Sequence, residues 1–90
     1  MYTAIYSNSF KRDLKVAKKR GEDLQLLRAV MDKLITGIPL EANYRDHALT
    51  GNWKGFRECH VKGDWLLVYY YYDGDTIVFS RLGSHSDLRF

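Results

Sequence analysis

One cysteine, one proline and no apolar run longer than the eight residues 65–72 set the first limits on this chain of 90 residues. The lone Cys59 cannot close an internal disulfide, which excludes a disulfide-stapled scaffold. A single proline beside a hydrophobic share of 46% excludes a disordered tail or a proline-rich linker. Eight apolar residues fall well short of the roughly 20 that cross a bilayer, and no signal-peptide pattern is found. A strong charge of either sign is also missing. The net charge of +3 and pI of about 9.1 only lean toward anionic partners. The expectation is one ordered cytoplasmic domain over residues 1–90, not membrane-bound, burying about 60% of the surface its unfolded chain exposes.

The elements follow a simple order. Residues 2–6 are rich in β-formers, and Ser7 or Asn8 can cap a helix over 8–20, where Phe10, Leu14 and Ala17 form an apolar stripe among lysines and arginines. Those basic residues read as a solvated face, with phosphate or ribosomal RNA contact as the alternative. Gly21 ends this helix. Glu22 and Asp23 open a second, whose face of Leu24, Leu27, Val30, Met31, Leu34 and Ile35 runs out at Thr36, before Gly37 and Pro39. Residues 40–54 keep no period and read as a loop. Strands are expected over 55–61, 64–72 and 76–82, with turns at Lys62-Gly63 and Asp73-Gly74-Asp75. This β-α-α-β-β-β order implies an α+β fold, two antiparallel helices on a mainly antiparallel four-stranded sheet.

Strand parity makes the expectation sharper. A two-residue Lys62-Gly63 turn pairs His60 with Trp65, Glu58 with Leu67 and Phe56 with Tyr69, all on the face away from the helices. Cys59, Val61, Leu66 and Val68 then point toward the helices, where an apolar setting makes the Cys59 thiol inert. A three-residue Asp73-Gly74-Asp75 loop, with a bulge at Gly74, sets Arg81 beside Leu67 on the His60 side, avoiding an isolated arginine in the core.

All three histidines, His47, His60 and His85, lie in the second half of the chain at loop or strand-end positions. Asp46, Asp64, Trp65 and Arg81 share such positions. One histidine on a small domain is ordinarily a surface residue; three around one meander suit a site. Metal-free RNA cleavage needs a base for the 2′-hydroxyl, an acid for the leaving 5′-oxygen and a cation for charge on phosphorus. Histidine serves in either proton role near neutral pH, arginine clamps phosphate, and an accessible tryptophan stacks a base. Zinc or another transition metal could use the same residue types, but no tight ligand motif is present.

The linked stretch Asp46-His47-Ala48-Leu49-Thr50-Gly51-Asn52-Trp53-Lys54-Gly55-Phe56-Arg57-Glu58-Cys59-His60-Val61, continued by Asp64-Trp65-Leu66-Leu67-Val68-Tyr69 and Arg81-Leu82-Gly83-Ser84-His85, resembles the YafQ-type toxins of the RelE/ParE superfamily. The resemblance covers essentially the whole chain. It implies a RelE-like fold and a toxin of a type II toxin–antitoxin system that cleaves messenger RNA on the ribosome without a metal or other cofactor and stops translation. By the same resemblance the catalytic positions are His47, His60, Asp64, Arg81 and His85, with Asp46, Lys54, Trp65 and Phe90 toward RNA. His85 would be the general acid and His60 or His47 the base, with Asp64 orienting an imidazole or assisting as base and Arg81 stabilising the phosphorane-like transition state. Implied partners are a cognate antitoxin, acidic and partly helical, messenger RNA on the ribosome, and operator DNA through the toxin–antitoxin complex only. A ParE-like toxin acting on a protein such as gyrase, and a metal-dependent hydrolase, are the competing functions.

Overall fold

The computed structural model describes residues 1–88. Strand β1 (Thr3–Tyr6) leads into helices α1 (Asn8–Lys19) and α2 (Leu24–Thr36); strands β2 (His47–Ala48), β3 (Arg57–Lys62), β4 (Trp65–Tyr72) and β5 (Thr76–Gly83) follow, and a one-turn helix, α3 (His85–Leu88), closes the described chain. Two 3-10 turns, Ala42–Tyr44 and Gly51–Trp53, flank β2. The sheet has five strands in the order β1-β5-β4-β3-β2. β1 runs parallel to β5, and the remaining pairs are antiparallel. The expected α+β layering therefore holds, with one strand more than expected. The added strand is β2, a two-residue pairing inside the stretch 40–54 that lacks any sequence period. No helix among the described residues is long and apolar enough to cross a membrane.

Local chemistry explains where the helices begin and end. The Ser7 hydroxyl accepts from the Phe10 N–H at 3.0 Å, and Asp23 Oδ1 accepts from Gln25 and Leu26 N–H, both at 3.1 Å. Each satisfies amides that no helical carbonyl can reach. Gly37 ends α2 in the left-handed region at φ 79°, where a residue with a Cβ is strained. The stripes then bury Phe10 and Ala17 of α1, and Leu27, Val30 and Leu34 of α2, against one face of the sheet.

That face differs from the expected one along β4. Lys62 pairs with Trp65 and His60 with Leu66, so the two-residue loop is Gly63-Asp64, and the register shifts by one residue between His60 and Lys62. Cys59 and Val61 face the helices as expected, but so do Trp65, Leu67 and Tyr69; Leu66 and Val68 lie on the opposite face, in a smaller cluster with Leu88, Leu49, Trp53 and Phe56. The expected sides of Trp65, Leu66, Leu67, Val68 and Tyr69 are thus reversed. The extra residue in β3 is the cause, because one residue of slip exchanges the faces of everything beyond it.

The β4–β5 hairpin has the expected three-residue loop, since Tyr72 pairs with Thr76. Its register shift lies not at Gly74 but between the Tyr69–Phe79 and Val68–Arg81 pairs, leaving Ser80 extra. Arg81 therefore stands opposite Val68 instead of Leu67. Its guanidinium turns to the helix layer: Nε donates to Asp13 Oδ2 at 2.8 Å and Nη2 to Asp13 Oδ1 at 3.4 Å. The strand position of Arg81, opposite Val68, is thus on the His60 side as expected, but its guanidinium leaves that side for the helix layer. A carboxylate on α1, which the apolar stripe of that helix does not announce, supplies the partner that an arginine near a core requires.

Candidate active site

The face of the sheet opposite the helices carries the histidines. His47 on β2 pairs in register with Glu58 on β3, and His60 follows Glu58 by two residues, so all three side chains share that face. Glu58 is only 3% exposed. Its Oε1 lies 3.5 Å from His47 Nε2 and 3.8 Å from His60 Nε2, while its Oε2 is buried without a hydrogen-bond partner among the described residues. His47 Nδ1 meets the Arg45 carbonyl at 2.6 Å, and His60 Nδ1 meets the Gly63 carbonyl at 3.0 Å. Carbonyl oxygens only accept, so each Nδ1 carries the hydrogen and each Nε2 is turned toward the Glu58 carboxylate.

The Gly63-Asp64 loop and the start of α3 complete the cluster. Asp64 Oδ1 accepts from the His85 backbone N–H at 3.1 Å and from His85 Nδ1 at 2.6 Å. The backbone donor first, and then the ring, hold the Asp64 carboxyl below the ordinary carboxylate range. The bond to Nδ1 leaves His85 Nε2 without a hydrogen-bond partner among the described residues. The rings of His60 and His85 stand 6.0 Å apart between centroids. Asn43, Arg45, His60, Gly63, Asp64 and His85 line one open cleft of about 530 Å³, a volume suited to a small ligand or one nucleotide. Leu88, buried at 4% exposure against Leu66 and Val68, pins α3 to the sheet and so fixes where His85 starts.

Of the residues singled out in the sequence, His60, Asp64 and His85 come together in this cleft, and His47 joins them through Glu58. The others do not. Trp65 is 6% exposed in the main core, so it offers no free ring face for base stacking, and that expectation is corrected. Asp46 is committed internally: its Oδ1 accepts from Tyr69 Oη at 2.6 Å and Arg57 Nε at 3.3 Å, which ties the loop to the sheet instead of presenting a group to RNA. Arg81 faces Asp13 and shares its cavity with Arg20, Trp65 and Asp87. Lys54 is exposed at the end of the turn Gly51–Trp53, outside the cleft lining. Phe90 lies outside the described residues.

Three residues at the site had no assigned role in the sequence. Glu58 was legible in part, because alternation in β3 already puts it on the face of His60. Arg45 and Asn43 were not, since only the fold of the aperiodic loop carries them to the cleft.

The arrangement of a helix pair on one face of a mixed sheet is shared with the toxins of type II toxin–antitoxin systems. The mRNA interferase toxin YafQ of Escherichia coli strain K12 is 43% identical over 84 residues, covering 92% of this chain and 90% of that protein. The solved E. coli DinJ–YafQ complex superimposes with a TM-score of 0.89 at 40% identity, covering 98% of each chain. A metal-bound toxin from Helicobacter pylori superimposes with a TM-score of 0.90 at 48% identity, covering 98% of this chain and 99% of that one. The family described as the bacterial toxin of type II toxin–antitoxin system, YafQ, matches residues 2–90, and the chain belongs to that family.

Proposed function

We propose that this protein is an mRNA interferase, a ribosome-dependent endoribonuclease that stops translation by general acid–base cleavage of messenger RNA. The observation that carries the reading is the 2.6 Å contact between Asp64 Oδ1 and His85 Nδ1, with the His60 ring 6.0 Å from that of His85. Two imidazoles at that separation can flank one phosphodiester.

In the proposed reaction His60 Nε2 takes the proton of a 2′-hydroxyl, and the resulting oxygen attacks the adjacent phosphorus. The bond to the 5′-oxygen breaks as His85, entering the step as the imidazolium with Nδ1–H on Asp64, delivers its Nε2 proton to that oxygen, leaving a 2′,3′-cyclic phosphate and a 5′-hydroxyl end. Asp64 is the positioning residue that fixes the ring and tautomer of His85. Glu58 holds the Nε2 edges of His47 and His60, and a proton taken up by either imidazole turns that proximity into an ion pair. Among the described residues no group of three or more of His, Cys, Asp and Glu is placed to hold a metal ion. The complex of E. coli YafQ with DinJ supports a cognate antitoxin as partner here too, an acidic chain suited to a basic toxin, with operator DNA reached through that complex.

Primer extension on a defined message in a purified translation system, with chelator-treated protein, tests the reading. Wild type should cut only where ribosomes translate, and His85→Ala should cut about 10²- to 10⁴-fold more slowly, the usual contribution of a positioned acid. A folded His85→Ala protein that cuts at the wild-type rate removes His85 from its role. Growth arrest without cuts by wild type would move the search to a protein target.

A further inference from the structure

We propose that Arg45 is the phosphate-binding cation of the histidine cleft. The inference rests on the acid–base reading above and names a residue that reading does not use. Cleavage adds negative charge to a phosphodiester, yet the acid–base residues bring to this face the carboxylates of Asp64 and Glu58 and imidazoles whose charge depends on pH. A polyanion needs a permanent positive charge there. Arg81 is poorly disposed to supply it, because its Nε–H and one Nη2–H are spent on Asp13.

Arg45 lines the cleft together with His60, Asp64 and His85. Arg20, Arg57 and Arg81 have carboxylate partners in Asp87, Asp46 and Asp13, but Arg45 has no ion-pair partner among the described residues. Its guanidinium keeps all its donors for a ligand. The backbone adds an independent observation. Arg45 adopts the left-handed conformation, φ 50° and ψ 42°, with its N–H bonded to the Ala42 carbonyl at 3.1 Å and its own carbonyl bonded to His47 Nδ1 at 2.6 Å. Asparagine or glycine takes that conformation with less strain than arginine. A strained arginine whose carbonyl orients one histidine while its side chain borders two others fits a position occupied for its charge. Asn43, on the same turn, places a neutral amide beside it.

The test is the salt dependence of binding to a single-stranded RNA oligonucleotide whose 2′-oxygens are methylated, so that it cannot be cleaved. Arg45→Asn removes the guanidinium but tolerates the left-handed turn; Arg45→Lys restores a charge; Arg28→Gln on α2 is the control for a lost surface cation. Each phosphate contact on a single strand contributes about −0.7 to the slope of log affinity against log salt. Arg45→Asn should flatten the slope by about that amount and weaken binding roughly tenfold at low salt. Arg45→Lys should keep the slope, and Arg28→Gln should leave it unchanged. A wild-type slope in Arg45→Asn, or no measurable binding by wild type at low salt, overturns the assignment. The outcome separates from that of cleavage. Cuts by wild type with an unchanged Arg45→Asn slope leave the nuclease standing without Arg45, whereas a flattened slope with no cuts leaves an RNA-phosphate site without the proposed chemistry.

Discussion

Replacing Asp13 by alanine should destabilise this protein more than any other change to an exposed or half-buried charge. Asp13 Oδ2 accepts from the Leu82 N–H at 2.9 Å as well as from Arg81 Nε, and Oδ1 takes the second guanidinium bond. Leu82 is 2% exposed, so its amide cannot turn to water, and an unpaired buried N–H costs about 1–3 kcal/mol. The Arg81–Asp13 pair is mostly shielded, with side-chain exposures of 28% and 17%, and losing charge-assisted bonds to it adds roughly 1–2 kcal/mol once water reaches the freed guanidinium. The total of about 2–5 kcal/mol is a large part of the stability of a domain this small. With a urea slope near 1.5 kcal/mol per molar, the unfolding midpoint should fall by on the order of 2 M. Asp13→Asn keeps one carbonyl for the Leu82 amide and should lose about half as much. The assay is equilibrium urea unfolding followed by tryptophan fluorescence, and Trp65 in the core supplies the signal. If Asp13→Ala costs no more than an ordinary surface substitution, about 0.5 kcal/mol, the contact is not what holds α1 to β5 and the reasoning fails.

Glu58→Gln should separate stability from activity. The buried Oε2 has no partner to lose, so the urea midpoint should hold or rise while messenger cleavage falls at least tenfold; a large loss of stability with full activity would make Glu58 structural. In acid, the depressed folded pKa values of Asp64, held by His85, and Asp87, held chiefly by Arg20, act in one direction. Their stabilisation is fully present above the unfolded aspartate value near ~3.9 and is lost as pH falls through the lower folded values. The double change to asparagine should therefore flatten the acid limb of a stability–pH profile below about pH 4, and an unchanged limb would exclude both groups. Burial pushes the Cys59 thiol well above its ordinary range. A disulfide-exchange reagent should label it only after unfolding, and labelling of the native protein at the rate of a free thiol would place it elsewhere.

Periodicity sufficed for the helices because α1 and α2 each have one apolar stripe and a capping side chain. It could not fix β4. Trp65, Leu66, Leu67, Val68 and Tyr69 are all buried, on both faces, so neither parity puts a polar group inside and the pattern has no preferred register. The register is instead set by the extra residues in β3 and β5, which nothing in the local sequence marks. The same reasoning explains Arg81. An arginine excluded from the core on general grounds is allowed at its edge once Asp13, 68 residues away in sequence, supplies the pair. His60 kept its side because β3 alternates cleanly up to the bulge, whereas Arg45 and Asn43 reach the cleft through 3-10 turn geometry that no period encodes.

The two faces of the sheet divide the work, and the division accounts for where strain is tolerated. The helix face holds the large cluster around Tyr69, Phe79 and Phe10, with the Asp46–Tyr69 and Asp13–Arg81 contacts at its margins. The opposite face holds a much smaller cluster, Leu66, Val68 and Leu88, and there the buried unpartnered Glu58 oxygen and the left-handed Arg45 are found. A polar group without a partner and a strained backbone are costs that a stable core elsewhere can offset. The small cluster also has a positional role: Leu88 packs on Leu66 and Val68, and its N–H reaches the Ser84 carbonyl at 3.0 Å, so the turn that begins with His85 is clamped at its far end. Asp64 clamps the near end through the His85 amide and ring. His85 is thereby fixed by contacts on both sides although its own side chain is exposed, which is the condition for an imidazole that must meet a passing phosphodiester without first being ordered by it.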